Sequence, residues 1–202
     1  MHYSAKYDST KNGGVTMPTD YHVAQKVIHW LMSLIIMLDL VVAQKFGDLM
    51  EGWDRLESRS DHATLGTIVT ILFVLRIVLR LRFGAPPLPD SMTPWQRRLA
   101  KVAHLAMYFA IGALIVTGLI TASQAASPVT LFGTFDITTG QADESLFADL
   151  RVFHEFMTNA VIALIVLHVA AAGYHQLFLR DRVLINMLVF WRRIPAQEKG
   201  EG

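Results

Sequence analysis

One stretch constrains this chain more than any other: Arg151 to Arg180, RVFHEFMTNAVIALIVLHVAAAGYHQLFLR, an apolar run that carries His154, His168 and His175. His154 and His168 lie fourteen residues apart, close to four helical turns, so on a helix both imidazoles leave one face. At about 1.5 Å of rise per residue they sit roughly 21 Å apart along the axis, which nearly spans a hydrocarbon core of about 30 Å. One membrane-spanning helix thus offers a ligating side chain near each surface. A single histidine in such a helix is adequately explained by a hydrogen bond to a neighbouring helix. The functional reading rests on several histidines at matching depths, because ionisable groups inside a bilayer are expensive.

Composition narrows the chemistry. Of the 202 residues 52% are hydrophobic and 17% charged, against about 25% charged in soluble domains, which fits an all-α integral membrane bundle. The chain has no cysteine. That excludes disulfides, thiolate-bound metal, iron–sulfur clusters and covalently attached c-type haem. A metal here must be held by histidine, methionine or carboxylate, and 8 His and 9 Met allow it.

Three more runs accompany the first. Residues 1–20 read as a polar flexible tail; Val27 to Gln44 then gives eighteen apolar residues, just enough to span. His29 sits one turn inside that run beside the interfacial residue Trp30, and Asp39 lies deeper. Asp39 reads first as a hydrogen-bonded contact between helices, and more sharply as a proton-relay or cofactor contact. After a polar loop from Lys45 to Asp61, His62 opens the second run, HATLGTIVTILFVLRIVLRLRF. Gly66 follows one turn later on the same face, where a missing side chain lets a flat macrocycle approach the backbone. Arg76, fourteen residues after His62, returns to that face at the opposite surface. Arg76 and Arg80 are candidate cofactor contacts beside their plainer role as interfacial anchors. The proline-rich loop at 85–94 precedes a third run, about Val102 to Ser123, with His104 near its start and Gly112 and Gly118 as small packing residues. The longest loop, 124–149, is expected to fold over one bundle face. Residues 183–191 are too short to span and read as an interfacial segment before a charged tail. The spans are therefore placed at about 27–44, 62–82, 102–123 and 153–179, within a domain covering 21–182.

Charge orients the bundle. Four spans put both termini on one side, and that side with the loop between the second and third spans carries fourteen Lys and Arg; the other side carries four, Lys45, Arg55, Arg59 and Arg151. The positive-inside rule places the termini in the cytoplasm of a bacterial inner membrane. Depth then sorts the histidines. Only His62 and His154 lie at outer depth, so they pair with each other. At inner depth His168 pairs with either His29 or His104.

This pattern resembles the bacterial cytochrome b561 family of four-helix, di-haem b proteins, nearest the branch that includes superoxide oxidase. The resemblance covers about residues 21–182. It is carried by Ile28-His29-Trp30, His62 with Gly66, RIVLRLRF followed by APP, AHLAMY around His104, Phe153-His154-Glu155 with Asn159, and LHVAAAGYH from Leu167 to His175. It implies two stacked haem b groups, with His29 and His168 on the cytoplasmic one and His62 and His154 on the outer one. It also implies ubiquinone near the cytoplasmic end, with His175 and His104 beside the quinone or lining the inner haem. Gln25 is a weaker quinone candidate.

Two axial imidazoles leave iron no open position, so such sites pass electrons and bind no substrate at the metal. A quinone takes up two electrons and two protons, which gives His175, two turns beyond His168, the part of proton donor. Arg59 and Arg151 each precede an outer ligand by three residues and suit either haem propionates or a small anion such as superoxide. Ten acidic residues on the outer side against four basic ones oppose long-range attraction of an anion and leave only a local basic spot. The expected function is one-electron transfer across the membrane, from superoxide or another periplasmic donor to ubiquinone. The alternatives are a cytochrome subunit anchoring a hydrogenase or dehydrogenase, and a haem-free transporter or structural protein. Membrane lipid surrounds the bundle, and no feature addresses nucleic acid.

Overall fold

The computed structural model describes residues 20–44, 52–89, 91–140, 143–181 and 183–188. Residues 1–19, 45–51, 90, 141–142, 182 and 189–202 lie outside the described residues, and with them most of the expected polar tail and the first part of the expected 45–61 loop. Four long helices make the fold: α1 (Val23–Gln44), α2 (Gly52–Phe83), α3 (Pro94–Ser123) and α4 (Glu144–Tyr174). All four carry windows long and apolar enough to cross a membrane. A two-stranded hairpin, β1 (Thr130–Leu131) and β2 (Phe135–Asp136), lies between α3 and α4, and a short α5 (Val183–Leu188) follows.

The helices overrun the apolar runs. α2 begins at Gly52, ten residues before His62, where the sequence suggested a loop to Asp61; α3 begins at Pro94 and α4 at Glu144. The reason is physical: a bilayer limits how long a run must be apolar, not how long a helix continues into water. At about 1.5 Å per residue the 32 residues of α2 extend roughly 48 Å. Local signals set the ends. Thr93 caps α3 with a reciprocal capping box to Gln96, and Pro94 takes the first turn, where its missing N–H is harmless. Asp143 accepts from the Leu146 amide at 2.9 Å to start α4. α2 stops at Gly84, whose φ of 66° places it in the left-handed region, with its N–H donating to the Arg80 carbonyl at 3.0 Å.

Packing is closest within two antiparallel hairpins, α1 with α2 and α3 with α4, and less extensive between α2 and α3. The core lies at mid-depth, where Met32, Leu72, Phe73, Ala110, Ile111 and Val161 cluster and each long helix contributes. Val161 is midway between His154 and His168 and only 1% exposed, so the apolar cluster separates two histidine levels. Outward-facing Val41, Leu81, Leu105 and Val169 remain exposed, as suits helices whose surroundings are lipid; packing, not removal from water, holds such helices together. At the end of the bundle where α1 begins, expected to be the inner one, the Trp30 indole N–H donates to the Met187 carbonyl at 2.9 Å, fixing α5 against α1. At the opposite end, expected to be the outer one, the hairpin lies against α2. The Thr130 amide donates to the Ser60 hydroxyl at 3.1 Å and the Phe132 amide to Thr64 Oγ1 at 3.0 Å, flanking His62.

Candidate functional site

The outer histidines meet as their depth requires. His62 on α2 and His154 on α4 have ring centres 6.1 Å apart, nearly perpendicular at 86°. Each ring is held through Nδ1. Asp39 Oδ1 on α1 lies 2.7 Å from His62 Nδ1; an ionised carboxylate only accepts, so that nitrogen carries the proton. The Thr117 hydroxyl donates to the Ala113 carbonyl at 2.7 Å. Its oxygen is then free to accept from His154 Nδ1 at 3.0 Å. Both arrangements leave the lone pair on Nε2, the form in which imidazole ligates a metal. Gly118 suits the same arrangement, because a Cβ there would come within 3.1 Å of His154 Cε1 and press on the ring. At Gly66 a Cβ would meet nothing within 4 Å, so there is room beside the backbone one turn inside His62.

The inner level holds three rings. His168 on α4 lies 6.3 Å from His29 on α1 and 5.7 Å from His104 on α3, centre to centre. His29 and His168 are half-buried and His104 exposed. A ring N–H of His104 donates to the Ala100 carbonyl one turn back on its own helix. The Arg76 guanidinium lies within electrostatic reach of all three rings, and Arg80 within reach of His104.

Imidazoles on both sides of one metal, each bonded at about 2 Å, bring their ring centres a little over 6 Å apart. The separations of 6.1 and 6.3 Å match this for His62 with His154 and His29 with His168. Among the described residues no group of three or more His, Cys, Asp or Glu is placed to hold a metal ion. Two imidazoles are too few for a bare ion and sufficient for one whose equatorial positions a macrocycle fills. Three buried polar atoms have no partner among the described residues, namely Ser58 Oγ, Thr121 Oγ1 and Gln176 Oε1. Ser58 lies one turn before His62 and Thr121 one turn after Thr117, so hydroxyls without partners flank the outer level. These residues fit haem.

The remaining candidates divide. His175 Nδ1 lies 2.5 Å from Asp181 Oδ2, both little exposed. Asp181 also accepts from the Val183 amide at 3.2 Å. The pair sits where α4 passes into a π-helical turn, His175–Leu179, a feature common at functional sites. Gln25 is buried, and its amide nitrogen donates to the Gly84 carbonyl at 2.9 Å and the Leu79 carbonyl at 3.4 Å. That engages both N–H bonds in fastening α1 to the end of α2 and leaves neither for a quinone. Arg151 forms an exposed pair with Glu155 at 2.9 Å on its own helix. Arg59 instead lines an outer pocket of about 320 Å³ with Gln124, Ala126, Ser127, Glu144 and Phe147. Sequence reasoning flagged Asp39 without its partner, and missed Thr117 and Asp181. Thr117 carries no signal, since a threonine in a membrane helix ordinarily bonds its own backbone; Asp181 reads as part of a charged helix end.

Four membrane-spanning helices with paired imidazoles at two depths define a multi-pass membrane protein suited to electron transfer. The family model for prokaryotic cytochrome b561 matches residues 20–189, and the chain belongs to that family, whose cofactor is haem b. It is 29% identical over 175 residues to "Cytochrome b561 homolog 2" of Escherichia coli K12, covering 85% of this chain and 92% of that protein. It is 27% identical over 172 residues to the "Probable superoxide oxidase CybB" of Yersinia pestis, covering 85% and 97%. Against "Cytochrome b561 homolog 1" of Escherichia coli K12 identity is 24% over 166 residues, 81% and 94% of the two chains.

Proposed function

We propose that the protein oxidises superoxide at the outer face of the bacterial inner membrane and reduces ubiquinone at the cytoplasmic face, with both termini in the cytoplasm. Two superoxide anions give two dioxygen molecules, and one quinone with two protons from the inner side gives one quinol. The observation that carries this reading is the paired imidazoles at two depths of one bundle, 6.1 and 6.3 Å between ring centres. His62 and His154 hold the outer haem b, and His29 and His168 the inner one. Bound haem b supplies one-electron redox chemistry at each level. Asp39 and Thr117 keep the outer imidazoles in the ligating tautomer, and Gly66 and Gly118 leave room for the ring and for His154. Ser58 and Thr121 offer hydroxyls to the outer propionates. Arg76 balances negative charge at the inner level, where His104 lines the site.

At the inner end the His175–Asp181 pair holds a proton beside the quinone. At the outer end Arg59 gives its pocket a local basic group, which an anion needs where the surrounding loops are acidic. The name of the Yersinia relative supports superoxide as donor. The acidic outer loops equally suit docking of a partner protein, and that favours the second reading, a cytochrome subunit of a hydrogenase or dehydrogenase. Adding superoxide to the purified protein with a ubiquinone analogue separates them. Rapid absorbance change of the haem bands on superoxide addition, reversed by the quinone, is the expected result. Haem bands that superoxide leaves unmoved would overturn the superoxide assignment in favour of the partner reading.

A further inference from the structure

The two levels differ in the charge that stands beside their imidazoles. At the outer level the Asp39 carboxylate accepts from His62 Nδ1 at 2.7 Å, with the Asp39 side chain 15% and the His62 side chain 30% exposed. His154 has a neutral partner there, the Thr117 hydroxyl. At the inner level neither His29 nor His168 has a side-chain hydrogen-bond acceptor among the described residues, and half-buried Arg76, fourteen residues after His62 on α2 and so on the same helix face four turns on, brings a guanidinium to that depth. Both charged residues hang on α1 and α2, whose close packing fixes them at opposite ends of the hairpin.

Resting on the proposed ligand assignment, we propose that Asp39 and Arg76 are positioning residues that order the two haem potentials, the outer low and the inner high, so that single electrons run inward. A carboxylate accepting from a ligand's distal N–H makes that imidazole a stronger donor and adds negative charge near the iron. Both effects favour the oxidised state and lower the potential. A guanidinium near the inner rings favours the reduced state and raises it. In a medium of low dielectric constant neither charge is screened as it would be in water. The order matters because an electron moving inward travels against a membrane potential that is negative inside. A downhill step between the two levels offsets that opposition.

The holoprotein is titrated potentiometrically in membranes, with the two haems told apart by broadening of the outer one's paramagnetic signal by a membrane-impermeant relaxing agent. The outer haem is expected to titrate at the lower potential. Asp39→Asn should raise its midpoint by at least 59 mV, a tenfold change in a one-electron equilibrium, and leave the inner midpoint in place. Asp39→Glu should largely restore it. Arg76→Gln should lower the inner midpoint by a similar factor and leave the outer one unmoved. An outer haem that titrates above the inner one in the unaltered protein overturns the inference, even if the variants fail to assemble. Midpoints that stay put in variants retaining both haems overturn it while leaving the ligand assignment intact. A His62→Ala protein that keeps both haems with unchanged spectra overturns the assignment itself, and the inference with it.

Discussion

The outer and inner ends of the bundle solve the same problem differently. Outside, two imidazoles meet, each pinned by a side chain from another helix, Asp39 for His62 and Thr117 for His154. Inside, three rings crowd together: His168 faces both His29 and His104, and no side-chain acceptor among the described residues fixes either His29 or His168. A site with one possible pairing can be deduced from depth alone. A site with a spare ring cannot, because 6.3 and 5.7 Å are both contact distances. Exposure and a backbone hydrogen bond set His104 apart and favour His29.

The comparison breaks most visibly by removing ligands. His62→Ala or His154→Ala should drop haem from two per protein to one, read as pyridine haemochrome per polypeptide, since among the described residues no third imidazole stands at outer depth. At the inner end the two candidates should diverge: His29→Ala loses one haem, whereas His104→Ala keeps both and only shifts their spectra. Equal losses from both would show that the spare ring substitutes, and would erase the distinction between the ends. Gly118→Ala comes next. Its methyl would press on the His154 ring at 3.1 Å, so the ring must give by a few tenths of an ångström. A changed low-spin signal is expected, with a destabilisation of at most about 1–3 kcal/mol for overpacking read from the thermal midpoint. Arg151→Ala should change stability by less than about 1 kcal/mol, because exposed ion pairs contribute little.

The smallest effect concerns the hairpin that covers the outer end. The Thr138 backbone N–H and hydroxyl, both donating to the exposed Asp136 carboxylate, hold its pKa below the ordinary 3.8. A depressed carboxyl stabilises the fold above its unfolded value and ceases to do so as pH falls through the folded one. Protection of the Thr138 amide from hydrogen exchange, corrected for the intrinsic pH dependence of exchange, should therefore fall as pH drops through the folded value. A flat protection profile across that range would remove the carboxylate from the hairpin's stability.

Much of this molecule is legible in its sequence, for identifiable reasons. Apolar length reveals the four spans because lipid tolerates no unpaired backbone, and the fourteen-residue step from His154 to His168 fixes two depths on one face. Helix ends were less legible: α2 and α4 begin well outside the apolar runs, since polar turns beyond the hydrocarbon carry no such signature. Contacts between helices were least legible. Asp39 stands out as an acid in an apolar run, yet only the fold supplies His62 as its partner. Thr117 gives no sign at all, and Arg151, three residues from His154, turns to Glu155 on its own surface.

Haem stoichiometry with ligation state tests the account at its centre. The purified protein should contain two b-type haems per polypeptide, both six-coordinate and low-spin, with one lost selectively in His154→Ala and the other in His29→Ala. A single haem, or two that both survive His154→Ala, would contradict the assignment of paired imidazoles at two depths.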